Sequence, residues 1–167
     1  AVPGEGKSSL ALALGRTYAI SGKRAILIDC DLRKPSVHRH LNIQPTAGLY
    51  DYLSNRGDDS RIGDFLTRDP LTPLTVATGL RPSAGATDHL VMGATFDKLL
   101  DAAVENFEIV ILDAPPIGPI VDGLYLARRA DVILMVVQWA HTSQDDVRRA
   151  RASLETARPA ESLIEAV

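Results

Sequence analysis

Cysteine occurs once in this 167-residue chain, at Cys30, which excludes an internal disulfide and points to a reducing compartment. A basic excess is also missing. The net charge of −3 leaves no electrostatic footprint for nucleic acid. Long hydrophobic runs are absent too: the strongest, residues 132–137, is far too short to span a bilayer. There is no internal repeat, no low-complexity tract, no initiator Met and no signal segment. Hydrophobic content of 46% with 23% charged residues fits a globular chain with a sizeable core, expected here as a single domain over residues 1–167.

What is present starts with the segment Ala1-Val2-Pro3-Gly4-Glu5-Gly6-Lys7-Ser8-Ser9. It fits the phosphate-loop pattern G-x-x-x-x-G-K-[ST] at every fixed position but the first, where Ala1 replaces glycine. Small and turn-forming residues let successive backbone N–H groups point into one concavity around phosphate oxygens. The nucleotide-binding segment is therefore expected over Pro3, Gly4, Glu5, Gly6, Lys7, Ser8 and Ser9. Lys7 is placed to reach the terminal phosphates and Ser8 to sit on Mg2+. The competing reading is a glycine-rich turn before an ordinary helix. Such a loop also needs a strand feeding it, so the chain reads as part of a longer one whose central strand precedes Ala1.

Elements alternate in the way of a parallel sheet with covering helices. Leu10, Leu14 and Tyr18 lie four residues apart and predict a helix after the loop. Buried strands are expected at 24–29, 109–112 and 132–137, and a weaker one at 74–77. Short helices are expected near 49–53 and 62–66, and longer ones at 96–104, at 121–129 and from Ser143. There Asp146 follows as a capping-box-like partner, and Val147, Leu154 and Ala157 share one face. The continuous apolar strands predict a doubly wound, mainly parallel α/β fold, and the loop pattern at residues 1–8 makes the phosphate-loop nucleoside triphosphatase fold the expected kind.

The strand at 24–29 runs into Asp29-Cys30-Asp31-Leu32-Arg33-Lys34-Pro35. Ligands in open parallel sheets sit at the carboxyl ends of strands, so Asp29 and Asp31 fall where phosphates would lie. Two carboxylates there suit Mg2+, or one of them accepts a proton from an attacking hydroxyl. Asp113, after four apolar residues, has the place of a second metal-site acid. His38 and His40 lack further metal-ligating neighbours in sequence and read as loop residues. Arg33 and Lys34 are candidate phosphate or subunit contacts, or simply exposed. Trp139 is expected to pack, with the adenine pocket as its other possible role. Cys30 has no identifiable base and receives no catalytic part.

Taken together, residues 1–8, Ile28-Asp29-Cys30-Asp31-Leu32-Arg33-Lys34-Pro35 and Leu112-Asp113-Ala114-Pro115-Pro116 resemble the bacterial tyrosine autokinases of capsule and exopolysaccharide biosynthesis. The likeness continues through residues 48–53, the Thr78-Gly79 turn and Ala130-Asp131. It implies ATP and Mg2+ as cofactors, Lys7 and the loop backbone on the β- and γ-phosphates, and Ser8, Asp31 and Asp113 around the metal. Asp29 would be the base for an attacking tyrosine, although its role and that of Asp31 are interchangeable at this level. The resemblance further implies a membrane-embedded chain-length co-polymerase partner or fused domain. It also implies a homo-oligomeric ring, a tyrosine-bearing protein substrate and a place at the cytoplasmic face of the bacterial plasma membrane.

The family's tail tyrosine cluster has no counterpart, since Tyr18, Tyr50, Tyr52 and Tyr125 all fall within the domain. After residue 157 the sequence does not show the apolar strand expected next. Two other readings compete. A partitioning-type ATPase would carry a lysine where Val2 stands; a non-catalytic, nucleotide-controlled assembly module of a polysaccharide export machine would share the acidic set.

Overall fold

The computed structural model describes residues 4–55, 62–80, 90–117 and 122–167. They group into two compact units, one of residues 8–113 and one joining residues 1–7 to 114–167. The expected Pro3 contact, residues 1–2 and part of the expected 121–129 helix lie outside the described residues.

The larger unit carries helix α1 (Lys7–Ile20), strand β1 (Ala25–Asp29), the short helices α2 (Val37–His40), α3 (Leu49–Ser54) and α4 (Ile62–Phe65), and strands β2 (Leu66–Arg68) and β3 (Thr75–Ala77). A 3-10 turn (Leu90–Met92), helix α5 (Ala94–Asn106) and strand β4 (Ile109–Asp113) complete it. The sheet order is β2-β3-β1-β4, with β1 parallel to both β3 and β4 and only β2 antiparallel. β1 is buried along its whole length because it is flanked on both sides. Its partner β4, just as apolar in sequence, is only half-buried up to Asp113, for it ends the sheet order.

Helix α1 is confirmed, but its inner face differs from the expectation. Ala11, Leu12, Gly15 and Ala19 are buried, while Tyr18 is 40% exposed. The larger spacing of Leu10, Leu14 and Tyr18 lost to closeness: small residues let the helix lie directly on Ala25, Leu27, Leu74 and Val76. Gly15 marks the tightest point, where a Cβ would stand 2.9 Å from Leu74 Cδ2 and 3.6 Å from Ile111 Cδ1. Gly15→Ala is therefore expected to destabilise the protein by about 1–3 kcal/mol through overpacking, despite the better helix propensity of alanine. A urea denaturation midpoint at or above the wild type's would refute that packing. Gly22, at φ +87, ends the helix, with Lys23 N–H donating to Tyr18 O at 3.1 Å.

Asp69 pins this packing. Its side chain is fully buried and accepts Arg16 Nη2–H at 2.7 Å, Arg16 Nε–H at 3.0 Å and the Thr72 hydroxyl at 2.6 Å. Burial pushes the carboxyl up, and these donors overcome it and hold it below its ordinary value. Asp69→Ala would leave a guanidinium without its planar partner, at an expected cost of about 2–4 kcal/mol in chemical denaturation. Removing Asp145 from its exposed pair with Arg148 should change stability by less than about 1 kcal/mol.

The smaller unit holds α6 (Asp122–Ala127), β5 (Val132–Met135), α7 (Gln144–Ala157) and β6 (Leu163–Ala166). Ser143 caps α7 as expected, its Oγ accepting Asp146 N–H at 3.1 Å. Two expectations are corrected here. The segment after residue 157 does form a strand: β6 runs parallel to β5, hidden from pattern reading because it is short and interrupted by Glu165. And β5 is not buried on both faces. Ile133 and Met135 pack with Ala150 and Leu154, while Val132 is 52% and Leu134 is 40% exposed.

Candidate active site

In the larger unit the parallel register sets Asp29 directly beside Asp113 at the carboxyl ends of β1 and β4. Cys30 N–H donates to Asp113 O at 3.0 Å and locks that pairing. The chain then turns back: Asp31 Oδ1 accepts Lys34 N–H at 3.0 Å, which closes a turn. This brings Ser36 and Val37 over Asp29, whose Oδ2 accepts their N–H groups at 3.0 and 3.1 Å. The other oxygen, Asp29 Oδ1, is buried without a hydrogen-bond partner. An unpaired buried carboxylate oxygen is costly, so such an atom points to a ligand or a proton. Burial first, and the neighbouring Asp113 and Asp31 with it, raise Asp29 to about 7 against the opposing backbone hydrogen bonds. At neutral pH the carboxyl is poised between its two protonation states.

Ser8, on the first turn of α1, joins the same cluster. The Ser36 hydroxyl donates to Ser8 Oγ at 2.8 Å, so Ser8, Ser36 and Asp29 form a continuous chain. Behind them Gly79 closes the floor. A Cβ at Gly79 would stand 2.9 Å from Pro35 Cβ and 3.0 Å from both Asp29 Cγ and Asp29 O. Ser36 was not singled out in sequence because a serine after a proline carries no chemical signature. The positions of Ser8, Asp29, Asp31 and Asp113 are thus brought together, and Ser9 is exposed on α1.

In the smaller unit Gly4 and Gly6 adopt φ +87 and +86, the left-handed conformation that favours glycine. Between them Glu5 is 6% exposed, accepting Lys7 Nζ–H at 3.2 Å and the Thr142 hydroxyl at 2.7 Å. Burial pushes Glu5 up, but its hydrogen bonds, those from Thr142 and Lys7 among them, bring it below the ordinary value. No pattern in the sequence pairs residues so far apart.

The remaining candidates separate cleanly. Cys30 is enclosed, and burial, reinforced by Asp29, Asp113 and Asp31, pushes its thiol well up, so it is unreactive. Burial and Arg39 lower His38. Among the described residues no group of three or more His, Cys, Asp or Glu side chains is arranged to hold a metal ion. These residues thus form no zinc-like cage, whereas Mg2+ needs only one or two carboxylates, since phosphates and waters complete its shell. Ser8 with one or two of the strand-end acids is an oxygen donor set of the kind that ion takes. Trp139 does not pack as expected: it is 94% exposed.

A parallel α/β sheet with paired acids at its strand ends and a glycine-shaped loop before its first helix defines the phosphate-loop nucleoside triphosphatase fold. No family model matches the chain. It is 32% identical over 156 residues to the tyrosine-protein kinase YwqD of Bacillus subtilis, covering 93% of this chain and 64% of that protein. It is 33% identical over 150 residues to the succinoglycan biosynthesis transport protein ExoP of Rhizobium meliloti, covering 89% of this chain and 19% of that protein. The crystal structure of the VpsO kinase domain superimposes with a TM-score of 0.84 at 27% identity, over 99% of this chain and 78% of that one. YwqD is named as a tyrosine-protein kinase and VpsO as a kinase domain, and this chain is similar to both over nearly its whole length. The chain spans just under two thirds of the length of YwqD and about a fifth of ExoP.

Proposed function

We propose that this chain is the Mg-ATP-dependent catalytic domain of an autophosphorylating protein tyrosine kinase that regulates capsular or exopolysaccharide polymerisation and export. The observation that carries the reading is the buried Asp29, paired in register with Asp113 and tied through Ser36 to Ser8. Phosphoryl transfer asks chiefly for positioning and charge neutralisation, and little covalent chemistry from the protein. Mg2+, when bound, supplies charge neutralisation at the phosphates. Ser8, Asp31 and Asp113 are the residues to hold it. The loop backbone around Gly4 and Gly6, with Lys7, binds the phosphates, and Lys7 exchanges Glu5 for them. Asp29 accepts the proton of the attacking tyrosine hydroxyl, for which a carboxyl raised to about 7 is suited.

The physiological setting rests on the relatives: ExoP is named as a polysaccharide biosynthesis transport protein and YwqD as a tyrosine-protein kinase. A membrane-embedded co-polymerase partner or fused domain, ring-forming copies of this chain and a tyrosine-bearing acceptor are part of the same proposal. Among the described residues no helix is long and apolar enough to cross a membrane; a place at the cytoplasmic face of the membrane, through the parent protein or such a partner, belongs to the same proposal.

The test is transfer of labelled γ-phosphate by the full-length protein with Mg2+, followed by phospho-amino-acid analysis. Phosphotyrosine is expected, falling by at least about 100-fold in Lys7→Met, as for loss of a transition-state charge contact. Free phosphate without phosphotyrosine would point to an ATPase switch instead.

A further inference from the structure

The phosphate loop carries a contact that its nucleotide chemistry does not require. Glu5 lies between the left-handed Gly4 and Gly6, one oxygen on Lys7 Nζ and the other on the Thr142 hydroxyl. Thr142 belongs to the turn that follows β5, and its hydroxyl is oriented there: Gln138 N–H donates to Thr142 Oγ1 at 3.2 Å, leaving the hydroxyl proton for Glu5 at 2.7 Å. The turn is tight. Thr142 N–H and His141 N–H both donate to Gln138 O, at 3.0 and 3.2 Å, and Ala140 sits at φ +57, a conformation that costs a non-glycine residue about 1–2 kcal/mol. At its tip stands Trp139, 94% exposed and the chain's single tryptophan.

We propose that Thr142 is a positioning residue for the phosphate loop, and that the Lys7–Glu5–Thr142 chain reports occupancy of the loop to the Trp139 turn. The inference rests on the nucleotide-binding reading above. Before nucleotide arrives, Glu5 parks the Lys7 ammonium, and Thr142 fixes the carboxylate that does so. When phosphates take Lys7, Glu5 Oε2 gives up its contact with Lys7 Nζ, and the readjustment of the nearly buried carboxylate passes through the Thr142 hydroxyl into the strained turn. Threonine is suited to this task because a single hydroxyl both accepts from Gln138 and donates to Glu5; valine has the same shape and does neither.

The experiment uses full-length protein and two readouts, calorimetric titration with Mg-ADP and tryptophan fluorescence at 295 nm excitation. The wild type is expected to bind and to change its Trp139 emission on saturation. Thr142→Val should weaken binding about tenfold and abolish the emission change at saturating nucleotide, while Thr142→Ser restores both, which a merely structural loss would not do. Thr142→Val binding as the wild type does, with its emission change intact, overturns the proposal. So does a serine variant that fails to rescue. If the wild type itself binds no nucleotide, the nucleotide-binding reading falls and takes this inference with it; binding retained in the wild type with no difference in the variants overturns the inference alone. Should Thr142→Val not fold, Thr142→Ala, which removes the hydroxyl without placing a second methyl there, is expected to weaken binding about tenfold and to damp the emission change. An undamped response in that variant overturns the relay.

Discussion

Asp29→Asn is expected to remove phosphotransfer and, at the same time, to make the protein more stable above neutral pH. The loss follows from the proposed base role: removing a positioned proton acceptor costs about 10²–10⁴ in rate, while nucleotide affinity should stay within about tenfold, or ~1.4 kcal/mol. The gain follows from burial. Asp29 is wholly enclosed beside Asp113, and its carboxyl is raised from 3.8 to about 7. A raised folded-state value means that the folded protein holds a proton more tightly than the unfolded chain. The stability tied to that proton is therefore complete below about pH 4 and lost as pH rises through about 7. Asparagine keeps an acceptor for Ser36 and Val37 N–H and carries no charge to bury at any pH. The variant should then exceed the wild type by about 2–3 kcal/mol at pH 8, some 4–10 °C in Tm, with the advantage closing towards pH 5. Thermal melts of both proteins at pH 5 and pH 8, without nucleotide or Mg2+, measure this. A constant difference across that range would mean that Asp29 is already ionised at pH 5, and normal turnover in the variant would remove it as the base.

That trade of stability for function explains which parts of the chain were legible in its sequence. Runs such as Ala25 to Ile28 announce a covered strand because burial on both faces leaves no room for polar alternation. The placement of Asp29 and Asp113 at neighbouring strand ends was readable because each closes an apolar run that the sheet covers. What depended on contacts across the chain was not readable. The inner face of α1 is set by how near the helix lies to Leu74, so Gly15 outranked Leu14 and Tyr18. β6 draws its order from hydrogen bonds to β5 and not from its own composition. Ser36 and Thr142 act through one hydroxyl each, and no spacing marks a hydroxyl that happens to meet an acid far away in the chain.

The other large effect is expected at a residue with no side chain. Gly79 has an ordinary backbone conformation, so its requirement for glycine is purely one of space. All three atoms that a Cβ would crowd, Pro35 Cβ, Asp29 Cγ and Asp29 O, lie 2.9–3.0 Å away, and none is the free end of a flexible chain. Relief requires moving β1's last residue, the Pro35 turn, or both. Either motion opens the bonds from Ser36 and Val37 N–H that hold Asp29, and the Pro35 motion also pulls Ser36 from Ser8. Gly79→Ala is accordingly expected to destabilise by about 1–3 kcal/mol. It should also lower kcat by about 100-fold, the cost of displacing a reacting group by roughly 1 Å. The neighbouring Thr78 gives the control, since its hydroxyl is buried and unpartnered; Thr78→Val should leave kcat within about threefold and cost no stability, removing a polar group that has no bond to lose. Kinase assays and denaturation on the pair distinguish a site shaped around Asp29 from a generally intolerant core. Equal losses in both variants would favour the intolerant core, whereas loss confined to Gly79→Ala would identify the glycine as the mould in which the Asp29 carboxylate is held.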